Sequence, residues 1–138
     1  MEIVESSGFI EIEHTADWEM HIWAPDLAGL LEQSARGMYH LMGVQTKAGY
    51  SQNHQIQITY QDEESLLVSF LSELLYLLET KNLVFDQFTW TLNKESFLVE
   101  MVGIPLTSLS KEIKAVTYHN LSIHKTSERF EANVVFDI

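Results

Sequence analysis

The sequence of 138 residues contains no cysteine, which excludes a disulfide framework, a thiolate metal site and a cysteine nucleophile. It also has few basic residues, because 8 Lys and Arg stand against 20 Asp and Glu, for a formal net charge of −12. Lys and Arg supply most of the affinity for a phosphate backbone, so this balance argues against direct binding of nucleic acid by the chain alone. A cation or a basic protein surface is a better partner for such a chain.

Long apolar runs are missing as well. None approaches the ~20 residues that span a bilayer, and the acidic start, MEIVESSGFIEIE, lacks the lysines of a signal peptide. Without a membrane segment or cysteine, we expect a soluble, cytoplasmic protein. A composition of 46% hydrophobic and 20% charged residues is typical of a folded chain, and the length suits one domain over residues 1–138.

Two segments have helical periodicity. Pro25 and Asp26 predict the start of the first helix, and apolar residues recur at helical spacing until Gly43 ends it. Asp62 predicts the N-cap of a second helix over 63–80, which is the most apolar segment of the chain and the expected centre of the core.

The remaining segments alternate as strands do. Strands are predicted over 9–13, 18–23, 54–60, 83–93, 96–103, 112–119, 121–124 and 129–138. No repeat and no Gly-rich phosphate loop is found in the sequence. The sequence therefore predicts a single α+β domain, with two helices packed on one face of a largely antiparallel sheet of about seven strands.

Acidic groups near both ends of the chain are candidate metal ligands. Asp17 lies where the strand pattern breaks at 14-HTAD-17, and the alternation of the last strand turns Asp137 away from the apolar side. Ile138 follows, with its side chain expected to anchor the strand end and its carboxylate close to Asp137. If the first bend meets this end in space, three carboxylates converge, and such oxygen donors suit calcium or magnesium. From residue types alone, an ordinary turn aspartate and a solvated strand residue are the simpler interpretation.

Two further features leave alternatives open. His14, His119 and His124 could bind zinc together with Asp17, although their spacing matches no standard zinc motif. Lys114 is one of few basic residues and stands in the polar phase of the predicted strand 112–119. It either guards a sheet edge against aggregation or contacts phosphate or an acidic residue of a partner.

Four segments together resemble the archease family over nearly the whole chain. They are 13-EHTAD-17, 66-LLVSFLSELLYLLE-79, 113-IKAVTYHNL-121 and 134-VVFDI-138. The resemblance implies a small α+β protein that binds a divalent cation, usually calcium, through Asp17, Asp137 and Ile138. It also implies a role as a protein cofactor rather than an enzyme. The partner would be the tRNA-splicing RNA ligase, which joins 2′,3′-cyclic phosphate or 3′-phosphate RNA ends to 5′-hydroxyl ends. Help would be given at formation of the ligase's covalent guanylate and would sustain multiple turnover.

The same resemblance makes Lys114 a candidate contact with the ligase or its nucleotide, and His14 a candidate for orienting Asp17. One departure follows the HTAD motif, where many relatives carry an aliphatic residue and glycine but this chain has Trp18 and Glu19. Glu19 either adds charge near the site or faces solvent. The alternative function is a small metal-dependent hydrolase that uses the same acidic cluster, and the lack of a base-plus-nucleophile constellation in the sequence favours the cofactor role.

Overall fold

The computed structural model describes residues 6–12, 17–49, 51–93 and 96–138, and these contain two helices and nine strands. The helices are α1 (Leu27–Met42) and α2 (Glu63–Lys81). The strands are β1 (Gly8–Ile12), β2 (Trp18–Ala24), β3 (Gln45–Thr46), β4 (Gln52–Thr59), β5 (Leu83–Leu92), β6 (Ser96–Ser108), β7 (Ala115–Val116), β8 (His124–Lys125) and β9 (Phe130–Asp137).

Both helices begin where the sequence predicts, and α2 ends one residue beyond the predicted 63–80. The N–H of Gly29 donates to the Asp26 carboxylate at 2.7 Å, and α1 ends at Gly43 in a left-handed conformation with φ 63°. Asp62 caps α2 in the same way, by accepting from the N–H of Ser65 at 2.7 Å. No helix in the described ranges is both long and apolar enough to cross a membrane.

The strands form two antiparallel sheets, so the α+β class is confirmed but the single sheet of about seven strands is wrong. The five-stranded sheet has the order β1-β2-β9-β7, with β8 also paired to β9. In the four-stranded sheet, β6 pairs with β3, β4 and β5. The helices contact both sheets rather than one face of one sheet: α1 packs on β1, β2, β9 and β5, and α2 packs on β4, β5 and β7. Alternation in a sequence reports which side of a strand is buried but not which strands pair, and this explains the difference.

The predicted strands 112–119 and 121–124 are mostly irregular, because only β7 and β8 lie within or beside them. Ile113 and Val116 are buried, which accounts for the strand-like pattern of the first segment. Asn120, between the two segments, has a left-handed backbone with φ 54°. Lys114 therefore lies just before a strand instead of inside one.

One connected hydrophobic core lies beneath both sheets. Phe70 of α2 is fully buried and meets the rings of Phe88 and Trp90 edge-on, with centroids 5.9 and 5.1 Å away. On the side of the five-stranded sheet, Met20 and Phe136 are fully buried in the same cluster. The two sheets are thus parts of one packed unit.

Candidate functional site

The pairing of β2 with β9 places Asp17 and Asp137 at the same end of the five-stranded sheet. Trp18 lies opposite Phe136 in the outermost pair of the register, and Asp17 and Asp137 are the next residues outward along the chain. Trp18 packs against the core and Phe136 is fully buried, whereas both aspartates are exposed. Because side chains alternate along a strand, the two carboxylates lie on the outward side of the sheet.

A small cavity opens beside Asp17. Its volume is about 80 Å³. The lining residues are Asp17, Glu19, His119, Asn120 and Val135, and Asp137 is not among them. Pockets for small organic ligands occupy roughly 300–1,000 Å³, whereas one water takes about 30 Å³ of liquid volume. The cavity therefore has room for an ion with a few waters but not for a nucleotide.

A larger cavity of about 450 Å³ lies elsewhere, on the outer face of the four-stranded sheet, where Gln55, Gln87 and Glu100 help to line it. It contains none of the residues that the sequence singles out as metal ligands or partner contacts. Cavity size alone therefore does not identify the site. The smaller cavity is the better candidate because the carboxylates of Asp17 and Glu19 line it.

Glu19 lines the small cavity together with Asp17. The sequence had left open whether Glu19 adds charge near the site or faces solvent. It lies opposite Val135, two residues along β2 from Asp17 and on the same outward side. The two-residue spacing of these acids, across the start of the predicted strand 18–23, is the sequence signal for this placement. Asn120 completes the wall, and its side-chain nitrogen lies 3.3 Å from Nε2 of His119. The turn at these two residues gives no comparable signal in the sequence.

The chain before β7 carries two lysines next to this end of the sheet. The backbone N–H of Lys114 donates to the carbonyl oxygen of Asp137 at 2.7 Å, and its side chain is exposed. Lys111 places its ammonium 4.4 Å from the ring centroid of Trp18, a cation–π contact. The sequence singled out Lys114 and missed Lys111, because nothing local to Lys111 indicates a contact with a residue so distant in the chain.

The expected anchoring of Ile138 by its side chain is wrong. That side chain is 40% exposed, and the buried part of β9 ends at Phe136. The end of β9 is held by its backbone instead, through the hydrogen bond from Lys114 to Asp137. His14, the predicted orienting residue for Asp17, lies outside the described residues.

No group of three or more His, Asp or Glu side chains in the described part of the chain is arranged to hold a metal ion. His119 and His124 line two different cavities, which argues against the zinc alternative for these two residues. Asp17 and Asp137 supply carboxylate oxygens, the donor type that calcium and magnesium prefer, so their chemistry fits a hard cation. Such a cation takes six to eight oxygens, and two side chains can provide only part of that number.

A second polar cluster continues along the outward side of β2 and β9. His21 lies between two acceptors, with Nδ1 2.5 Å from Oδ1 of Asn133 and Nε2 3.3 Å from Oε1 of Glu131. Arg129 donates to the same Glu131 oxygen at 2.6 Å and stands over the ring of Trp23. These contacts tie β2 to β9 by side chains as well as by backbone.

Burial raises the pKa of the Tyr39 hydroxyl, in a separate cavity of about 290 Å³ between α1 and β5. The hydroxyl oxygen accepts from the N–H of Phe85 at 3.4 Å. Tyr39 therefore stays neutral at ordinary pH and serves as a packing residue with a satisfied polar tip.

Comparison with known proteins matches residues 9–138 to the archease protein family. The Methanosarcina mazei protein archease is 32% identical, over 92% of this chain and 93% of that protein. A solution structure of a Methanobacterium thermoautotrophicum protein superposes with a TM-score of 0.72 at 24% identity, covering 95% of this chain and 99% of the other. The crystal structure of a Thermotoga maritima protein, described as an archease and possible chaperone, gives 0.70 at 20% identity, covering 92% and 94%.

The two solved structures support the fold, and the family match spans the HTAD motif, both helices and β9. The identity to the Methanosarcina mazei protein extends over nearly the full length of both chains. The chain therefore belongs to the archease family.

Proposed function

We propose that this protein is a cation-binding cofactor of the tRNA-splicing RNA ligase. It promotes formation of the ligase's covalent guanylate and sustains multiple turnover, and it does not itself join RNA ends. The observation that supports the proposal is the β2–β9 register, whose outermost pair, Trp18 and Phe136, is followed at the same end of the sheet by the exposed Asp17 and Asp137. Membership of the archease family is a separate support.

The cation would be held by Asp17, Asp137 and the carboxylate of Ile138, with calcium or another divalent ion as the ligand. Carboxylates held close to one another repel, so a bound cation would lower the free energy of such an arrangement. The ion would also supply positive charge where this acidic chain meets phosphate groups. The protein's own part is to fix the strand end, which the bond from the Lys114 N–H to the Asp137 carbonyl does.

The ligase would supply what this chain lacks. A net charge of −12 disfavours direct RNA binding, so the RNA and the guanine nucleotide are held by the ligase. Lys114 is exposed beside Asp137 and is the proposed contact with the ligase or its nucleotide. An acidic pair with an adjacent lysine can engage a surface that carries both basic residues and phosphate.

The small size of the cavity at Asp17, about 80 Å³, favours a cofactor over the alternative of a metal-dependent hydrolase. A hydrolase must enclose part of its substrate next to the reactive groups, and an organic substrate needs several times this volume. The two functions differ in what the purified chain does alone: a hydrolase turns over unaided, whereas a cofactor is inert until the ligase is added.

The proposal is tested by multiple-turnover ligation with the ligase from the same organism. Asp17→Asn and Asp137→Asn each remove one negative charge and keep the side-chain shape. The matched control is Glu79→Gln, which removes the same charge from an exposed position on α2. We expect both aspartate variants to lose stimulation of guanylate formation and of turnover, and the control to keep both. Wild-type stimulation by both aspartate variants would overturn the proposal.

A second measurement separates activation from a chaperone effect of the kind named for the Thermotoga maritima protein. Titration of the ligase's active sites counts folded, competent enzyme, and a rate per active site follows from it. A cofactor raises the rate per active site. A chaperone raises only the number of active sites, and that result would contradict the proposed role.

A further inference from the structure

β4 forms an open edge of the four-stranded sheet. Within the described residues it pairs only with β6, in an unbroken register from Gln52 opposite Gly103 to Thr59 opposite Ser96. Its other edge makes no backbone hydrogen bond to the described part of the chain. Alternate residues of this eight-residue strand therefore present N–H and C=O groups at that edge that are unpaired within the described part of the chain.

This edge lacks the features that normally protect edge strands, which are charged side chains, proline and bulges. The sequence of β4, QNHQIQIT, contains no Asp, Glu, Lys, Arg or Pro, and its pairing with β6 has no bulge. Two other edge strands are protected. β5 has a register shift at Asp86, between Phe85 and Gln87, and β1 carries Glu11.

A second copy of this acidic chain can occupy the edge only if the contact surface itself is uncharged. Two chains of net charge −12 repel each other, but β4 brings no formal charge to a contact with itself. The nearest acid is Glu100, opposite Gln55 on β6. Across a β4–β4 contact the two copies of Glu100 would stand three strand spacings apart, about 14 Å, beyond the ~8 Å screening length at physiological salt.

The exposed side chains of β4 also suit contact with their own copies. Asn53, Gln55 and Gln57 are exposed, and each amide carries both donors and an acceptor. With the two-fold axis at Gln55 of an antiparallel pair, the two copies of Gln55 face each other and Asn53 faces Gln57 of the other copy, so amides that both donate and accept meet in each pair and are satisfied. Charged side chains in these positions would not be.

We propose that two copies of this protein pair antiparallel through β4 and join their four-stranded sheets into one sheet of eight strands. The contact lies on the four-stranded sheet, whereas Asp17 and Asp137 lie at the end of the five-stranded sheet. The dimer therefore leaves both candidate sites uncovered.

Analytical ultracentrifugation of the full chain from micromolar to millimolar concentration tests the pairing. We expect the mass to rise from 15.9 kDa toward twice that value. Gln55→Lys places like charges against each other in the dimer and is expected to weaken dimerisation at least about tenfold. The matched control is Thr89→Lys, because Thr89 is exposed on β5 and lies opposite the same Glu100 from the other side. This control should dimerise as the wild type does.

Mixing Gln55→Lys with Gln55→Glu provides a rescue, since opposite charges then meet and a mixed dimer should form. Circular dichroism of each variant checks that it is folded. A wild-type chain that stays monomeric over the whole range overturns the proposal, including the case in which β4 takes a strand of another protein. Equal weakening by Gln55→Lys and Thr89→Lys, or none by Gln55→Lys, overturns it as well.

Discussion

The outer faces of the two sheets differ in charge, although both sheets are antiparallel and rest on one core. The five-stranded sheet carries charged and titratable groups along its central pair of strands: Asp17, Glu19, His21, Glu131 and Asp137. The four-stranded sheet carries mainly amides and hydroxyls on its outer strands: Asn53, Gln55, Gln57, Thr89 and Thr91. The net charge of −12 is thus unevenly distributed over the surface. This distribution, and not the total charge, distinguishes a face suited to cations from a face suited to neutral contact.

Both sheets should depend on the same core for their stability. Phe70→Ala tests this and has the largest expected effect on the free energy of unfolding. Loss of a fully buried phenylalanine costs roughly 3–5 kcal/mol of unfolding free energy. Because Phe70 belongs to a core beneath both sheets, hydrogen exchange should report the same destabilisation in each.

The control for this substitution is Tyr76→Ala on the same helix, where the side chain is 56% exposed. Its effect should stay within about 0.5 kcal/mol. Destabilisation confined to the four-stranded sheet in Phe70→Ala would show that the two sheets unfold separately.

Calcium should affect the two sheets differently. A cation that binds only the native site stabilises by about 2.7 kcal/mol at a hundredfold excess over its dissociation constant. Local opening at the ends of β2 and β9 should also be suppressed, so exchange slows there beyond the global effect. Thermal melts with calcium and with chelator measure the first effect, and Asp17→Asn should remove it. Identical midpoints would contradict a native calcium site.

An extension after Ile138 should weaken calcium binding about tenfold, since an amide replaces one anionic oxygen ligand and affinity depends on ligand charge. The same extension placed before Met1 should have no such effect. Isothermal titration of both forms gives the comparison. Equal affinities would remove the carboxylate of Ile138 from the proposed ligand set.

The smallest effect is expected for Lys114→Ala. An exposed charge at the rim of an interface contributes no more than about 1 kcal/mol, so ligase stimulation should fall by about fivefold at most, with calcium affinity unchanged. Lys47→Ala, which removes an exposed lysine on the side of the four-stranded sheet, is the control. Loss of calcium binding in Lys114→Ala would contradict the separation of partner contact from cation site.

Features that depend on neighbouring residues could be predicted from the sequence. The caps at Asp26 and Asp62 and the end of α1 at Gly43 follow from local hydrogen bonding and backbone conformation. The outward direction of Asp137 followed from the alternation along its strand. Its position at the same sheet end as Asp17 followed only as a conditional expectation, because strand pairing across the chain is not encoded by alternation.

The features that could not be predicted from the sequence depend on contacts between residues far apart in the chain. Division of the strands between two sheets depends on which strands pair with β6, and no local pattern specifies this. The cavity at Asp17 needs His119 and Asn120 to approach from a connection that has little regular structure. The exposure of Ile138 was missed because an aliphatic side chain in the apolar phase normally points into the core, and here the core stops at Phe136.

The pairing of β2 with β9 also imposes an order on the protein's synthesis. His21 and Asn133 are separated by 112 residues, and β2 leaves the ribosome long before its partner. At the usual rate of translation this interval lasts about 5–20 s. In that time β2 can pair with β1 and pack on α1, but one of its edges remains unpaired. The candidate site is consequently among the last parts of the molecule to form, so a nascent chain cannot present the proposed cation ligands together before the sheet is closed.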